Sequence, residues 1–185
     1  MRKTMRGTTR RWAGMRVLTI GGLGVALAAA AAVPAAAQTR DGCRVTTFTD
    51  PPRDVLDCPG GVSVTAEKGA AYRLIDANRD GRPEAVELDG KALLIEVAPR
   101  RSGFQIRTPH AVASVRGTIW AVEAGAAATA VFVEEGAVQV VRRGEPASVT
   151  LRAGDGVDVA AGGGALDVKR WSRERRLHLL ARFGR

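Results

Sequence analysis

The sequence predicts an all-β fold: short antiparallel strands in a two-layer sandwich, a jelly-roll or a twisted solenoid, closed by one C-terminal amphipathic helix. Three observations carry this. Short apolar runs with period-two alternation are separated by Gly, Asp, Asn or Pro at intervals of about eight to twelve residues. No amphipathic helical pattern occurs before residue 170. Aromatics are only 4% of the 185 residues, so the core is mainly Val, Ile, Leu and Ala, which suits thin layers of short strands.

Residues 1–37 carry six basic residues (Arg2, Lys3, Arg6, Arg10, Arg11, Arg16) and no acidic one. Val17 to Val33 is uncharged and is followed by Pro34 and Ala35-Ala36-Ala37. A basic start, an apolar middle and small residues at a cleavage position describe a secretory signal peptide. Residues 1–37 are therefore expected to be removed after Ala37, leaving a periplasmic mature chain. The apolar run is shorter than the ~20 residues a spanning helix wants. The alternative is an inner-membrane anchor formed by the uncleaved signal.

Residues 38–70 are expected to pack on the β domain as an N-terminal region. They hold the only two cysteines, Cys43 and Cys58. In an oxidising compartment such a pair bridges, which stabilises by ~3 kcal/mol in the chain-entropy model. Asp50-Pro51-Pro52 between them favours a turn.

Residues 71–168 form the expected β domain. Within the mature chain alternation is clear at Val62/Val64/Ala66, Phe104/Ile106, Val138/Val140, Val149/Leu151 and Val157/Val159. Ala92 to Val97, Ile119 to Val122 and Ala130 to Val133 are nearly continuous, which predicts strands buried on both faces or at the tightest part of the core. Glycine-bearing turn signals fall at Asp89-Gly90, Glu135-Gly136 and Gly154-Asp155-Gly156. Glu134-Glu135 is read as the solvated tip of a hairpin.

Residues 169–185 form a basic C-terminal helix. Ser172 suits an N-cap, Glu174 the first turn, and Gly184 the end. Two readings are open. The helix docks Leu177, Leu180 and Phe183 on the β core, or it offers Trp171 and those residues to an anionic membrane surface or an acidic protein face.

The formal net charge is +9, but its placement matters more. Residues 38–168 hold 15 basic and 18 acidic residues, and the last 17 residues hold seven basic and one acidic. The β domain is mildly acidic, which excludes a nucleic-acid binder with a basic face.

Catalytic chemistry finds little support. His110 and His178 lack a third ligand nearby, and no nucleophile signature occurs. The stretch from Asp76 to Glu87 fits the acidic calcium-loop pattern, with Asp76, Asn78, Asp80, Glu84 and Glu87 as oxygen donors and Gly81 at the turn. Pro83 and the strand-like flanks suit an ordinary hairpin turn equally. Calcium is the one cofactor the sequence raises; otherwise none is expected.

An ordered set of short motifs remains: Thr108-Pro109, Arg116-Gly117-Thr118, Trp120 with Val122, Glu135-Gly136-Ala137-Val138, and Leu151-Arg152-Ala153-Gly154. Together they resemble the FecR domain family over about Ala71 to Val159. The resemblance implies a periplasmic all-β domain of the kind found in regulators of iron-transport signalling. There a cytoplasmic segment controls a sigma factor, a helix crosses the inner membrane, and the periplasmic part meets an outer-membrane transducer. The first 16 residues are too short and basic for a sigma-binding domain, and about 26 residues follow Val159. Direct sigma-factor binding is therefore not expected.

What the resemblance implies is a stand-alone exported module. It would be non-enzymatic, meeting a protein or envelope partner in sensing or signal transduction. The alternative is a structural or calcium-binding envelope protein. Within the motifs, Pro109 fixes an extended start and Gly117 marks a bulge or close backbone approach. Arg116 is expected to pair internally with an acid rather than mark a recognition surface. Interaction candidates are Thr108, Pro109, Arg116, Gly117, Thr118, Trp120 and the C-terminal helix.

Overall fold

The computed structural model describes residues 38–185; the expected export segment lies outside them. The strands are β1 (Gln38–Arg40), β2 (Cys43–Thr49), β3 (Pro52–Cys58), β4 (Val62–Glu67), β5 (Ala71–Ile75), β6 (Ala85–Val97), β7 (Ser102–Arg107), β8 (Ala111–Arg116), β9 (Ile119–Ala124), β10 (Ala128–Glu135), β11 (Ala137–Arg142), β12 (Ser148–Arg152), β13 (Asp155–Ala160) and β14 (Lys169–Arg170), followed by helix α1 (Arg173–Ala181).

They hydrogen-bond as two sheets that share β6. One runs β1-β2-β3-β4-β6-β9-β10-β13-β14, the other β5-β6-β7-β8-β11-β12. Every pairing is antiparallel except the short parallel one between β6 and β7. The inward residues of both sheets form one core, with Leu93, Ile95, Trp120 and Val131 from the first meeting Val86, Phe104, Ile106 and Val138 from the second.

The sheets are joined by strands that pass from one to the other at corners, as in orthogonally packed sandwiches. Strand β6 turns at Gly90-Lys91, where Lys91 has φ +63° and the register against β5 slips. The other corners lie between β8 and β9 at Gly117 (φ +60°), between β10 and β11 at Gly136 (φ +83°), and between β12 and β13 at Gly154 (φ +87°). This corrects the reading of Glu134-Glu135-Gly136 as a hairpin tip. Strand β10 pairs with β9 and β13, whereas β11 pairs with β8 and β12. A glycine at positive φ serves a hairpin and a corner equally well, so the residue does not reveal which one it makes.

The three near-continuous apolar runs sit side by side in β6, β9 and β10. Leu93, Ile95, Trp120, Val122, Val131 and Val133 face the inter-sheet core. Ala92, Leu94, Ala121 and Phe132 face outward and are covered by Trp171, Leu179 and Phe183. Both faces of these strands are dry because the C-terminal helix covers the second one.

Ser172 caps that helix, its Oγ accepting from the Arg175 N–H at 3.2 Å. The docking face differs from the expected one. Leu179 and Phe183 are each 3% exposed, Leu180 is half-buried, and Leu177 is 51% exposed. In a helix this short, which flank faces the sheet is set by how Trp171 enters and Phe183 leaves, not by the spacing of the leucines.

Cys43 and Cys58 are bonded across the β2–β3 hairpin, with Cα atoms 4.2 Å apart.

Candidate functional site

The family-type motif residues converge on one corner. Val97 and Thr118 exchange backbone hydrogen bonds at 3.0 and 3.1 Å, joining the end of β6 to the β8–β9 corner. A Cβ on Gly117 would stand 2.7 Å from Pro99 Cα, so the expected close backbone approach is present and no side chain fits. The Thr118 hydroxyl lies 3.2 Å from the Arg116 carbonyl and 3.1 Å from the Ala137 carbonyl. It therefore ties the Gly117 corner to the Gly136 corner. A Cβ on Gly136 would meet Gly117 O at 2.8 Å and Thr118 Oγ1 at 2.9 Å. Arg116-Gly117-Thr118 and Glu135-Gly136-Ala137 are thus interlocked tripeptides.

This corner opens into a cleft of about 430 Å³ with Val62, Val97 and Ile119 on its walls and Asp57, Glu96 and Glu135 at its carboxylates. Glu96 is paired with Arg185. Asp57 and Glu135 have no cationic partner among the described residues. Arg116, next to the cleft in sequence, is exposed and also unpaired among them. The internal pairing expected for Arg116 is absent among the described residues: its side chain leaves β8 on the solvent side.

Other motif residues are inside. Thr108 is 2% exposed. Its hydroxyl donates to the Ala111 carbonyl, accepts from the Ala111 N–H, both at 3.0 Å, and accepts from Thr129 Oγ1 at 2.9 Å. That fills the hydroxyl's capacity of one donor and two acceptors. His110 Nδ1 lies 3.1 Å from Thr129 Oγ1 and extends this chain of contacts. The Thr-Pro motif therefore closes the β7–β8 turn, and only Pro109 is exposed. Trp120 is wholly buried, and its indole N–H has no hydrogen-bond partner among the described residues. Thr108, Thr118 and Trp120 are not surface interaction residues; their side chains hold the core and corners.

The acidic loop joins β5 to β6. Carboxylate oxygens of Asp76, Asp80 and Glu84 come within 4.8 Å of one another. They serve the turn itself: Asp76 accepts from the N–H groups of Asp80 (3.2 Å) and Gly81 (2.8 Å), and Glu84 from that of Ala77 (2.9 Å). Asn78 Oδ1 also accepts from the Asp80 N–H, at 3.1 Å. Glu87, the last position of the calcium-loop pattern, does not join them. It lies on β6 and pairs with Arg73 at 2.6 Å, because strand alternation turns it to another face.

The basic C-terminal segment is largely neutralised by the first sheet. Arg175 pairs with Asp158 at 2.5 Å and stacks over Trp171 at 3.5 Å, and Trp171 stacks on Phe132 at 5.2 Å. Arg182 bridges Glu67 and Glu123, and Arg185 bridges Glu96 and Glu134. Burial disfavours the charged Arg182, yet its hydrogen bonds to Glu67 and Glu123 outweigh that and raise its pKa further. These acids are scattered along β4, β6, β9 and β10, so no local charge pattern in the sequence announces the clamp.

Two arginines that sequence reasoning missed are structural staples. Arg142 is 4% exposed and donates to the carbonyls of Ala160 (2.5 Å) and Gly164 (2.8 Å), holding the glycine-rich segment after β13. Arg101 donates to the carbonyls of Pro59, Gly60 and Pro83. In sequence both lie in Arg-Arg pairs near turn residues.

The fold and this corner define a class: a two-sheet β domain whose glycine corners lock together around an open acidic cleft. Residues 54–139 match the model of the FecR protein family. The match starts in β3 and ends in β11, so it lies further toward the N-terminus than the motif resemblance did. Two crystal structures of a candidate anti-sigma factor from Parabacteroides distasonis ATCC 8503 share the fold. Each has a TM-score of 0.58 and 21% identity, covering 74% and 75% of this chain. This chain covers 64% of that protein's chain, under two thirds of its length. No curated protein matches the sequence.

Proposed function

We propose that this protein is a non-enzymatic, exported FecR-type module that binds a protein partner in cell-envelope signalling. The observation that carries the reading is the corner built from Arg116-Gly117-Thr118 and Glu135-Gly136. It lines an open cleft in which, among the described residues, carboxylates Asp57 and Glu135 are unpaired, and Arg116, adjacent to lining residue Gly117 in sequence, is exposed and likewise unpaired. Charged groups at a rigid corner, around an apolar wall, fit recognition of another polypeptide better than turnover of a small molecule. The family match and the likeness to a candidate anti-sigma factor support the link to signalling.

Export is supported by the basic and apolar N-terminal segment, and by a cysteine pair that suits an oxidising compartment. A periplasmic fraction whose protein begins at Gln38 is the expected result; one that begins at Met1 rejects cleavage.

The partner test is site-specific crosslinking in the envelope from position 63 on the cleft wall, comparing the otherwise native chain with an Arg116→Ala/Glu135→Lys variant. The variant should melt like the wild type and lose the crosslinked partner. Undiminished capture with the corner charges altered would move the interaction elsewhere.

A further inference from the structure

The helix and the Gly154 corner frame a second concavity, of about 270 Å³, that shares no lining residue with the corner cleft. Its apolar walls are Phe132, Leu177 and Leu180, and its cationic rim is Arg173 and Arg176. Leu177 is the one large apolar side chain of the helix left mostly in solvent, at 51% exposure. Of the seven basic residues at the C-terminus, Arg170, Arg175, Arg182 and Arg185 are engaged by carboxylates. Arg173 and Arg176 have no carboxylate partner among the described residues, and Arg176 Nε is shielded from water without an acceptor. Glu134, the acid lining the same hollow, is already held by Arg185 at 3.0 Å. The hollow therefore pairs exposed apolar surface with two uncompensated guanidinium groups, one of them carrying a donor that lacks an acceptor.

We propose that this hollow docks an acidic peptide segment of a partner protein. A Leu- or Phe-sized side chain of the segment packs on Leu177, Leu180 and Phe132, and an adjacent carboxylate is held by Arg173 and Arg176. The inference rests on the protein-interaction reading above and adds a second contact surface to it. A membrane surface fits less well. An interfacial helix buries a whole apolar face in lipid, whereas Trp171, Leu179 and Phe183 are spent on the sheet and the remaining apolar surface is concave.

The test is direct binding of defined fluorescent peptides to the mature chain. One peptide alternates Glu with Leu, one replaces Glu by Gln, and one replaces Leu by Ala; vesicles rich in anionic phospholipid are run beside them. The Glu/Leu peptide should bind, weaken at least tenfold in Arg176→Gln and in Leu177→Ser, and weaken with added salt. Arg173→Gln, on an exposed residue, serves as the second variant should Arg176→Gln lower the melting temperature. Equal binding of the Glu and Gln peptides, no peptide binding, or binding to vesicles alone overturns the proposal. Loss of peptide binding here with partner crosslinking at position 63 intact would leave the corner reading standing and reject only this surface.

Discussion

Leu179→Ala is the most informative perturbation of how the C-terminal helix is held. Leu179 is 3% exposed and lies over Ala92, Leu94, Ala121 and Phe132 on the outer face of β6, β9 and β10. Buried Leu→Ala changes cost about 2–5 kcal/mol, the spread reflecting how far the site can collapse. Here two of the four neighbours beneath are alanines, and the helix lies on an outer face, so it can settle inward. A loss of about 2–3 kcal/mol is expected. Leu177→Ala, on the same helix but 51% exposed, should stay within about 0.5 kcal/mol of wild type. Urea unfolding measures both, with an unchanged m-value showing that stability alone has moved. In Leu179→Ala the near-ultraviolet dichroism from the Trp171–Phe132 stack should weaken well before global unfolding. Equal losses in the two variants, or a larger one for Leu177→Ala, would refute the assignment of the docking face.

Four further outcomes are expected. Gly117→Ala should cost about 2 kcal/mol or more, since αL strain of ~1–2 kcal/mol adds to the collision with Pro99. Gly144→Ala, also at positive φ but with open space around it, should cost only the strain; thermal melts of the pair decide. Arg182→Ala should destabilise by about 1–2 kcal/mol, and the loss should shrink in high salt, because both its bonds are charge-assisted and only partly buried. Asp76→Ala should cost about 1 kcal/mol with or without calcium, because two loop N–H groups lose their acceptor. A calcium-dependent melting shift abolished by this change would instead revive the metal reading.

Tyr72, the single tyrosine, has its hydroxyl pKa raised by burial; Arg40 opposes this, and Asp54 and Asp41 reinforce it. A folded pKa above the unfolded one means stability that is full below the unfolded value and is lost as pH rises through the folded value. Tyr72→Phe should remove that alkaline loss, and phenolate absorbance of the wild type should titrate above the ordinary tyrosine range.

Strand existence was legible because period-two alternation is a local consequence of the pleat, and Phe104/Ile106 or Val138/Val140 alternate in the structure as they do in the sequence. The doubled burial of β6, β9 and β10 was also legible as three nearly continuous apolar runs. The identity of what covers them was not, since it depends on a helix docking from the far end of the chain.

The sequence by itself determined the glycine positions, the Ser172 cap and the disulfide pair. Each rests on the chemistry of one or two residues: freedom at positive φ, a hydroxyl that reaches a free N–H, two thiols with no other partner. Tertiary structure decided the rest. Whether Gly136 makes a hairpin or a corner depends on which strands β10 and β11 find as neighbours, a non-local matter. Arg116 is expected to meet an acid and meets none among the described residues, whereas Arg182 and Arg185 meet four that are distant in sequence. Ion-pair partners follow the paths of whole strands, and a charge pattern along the chain does not contain them.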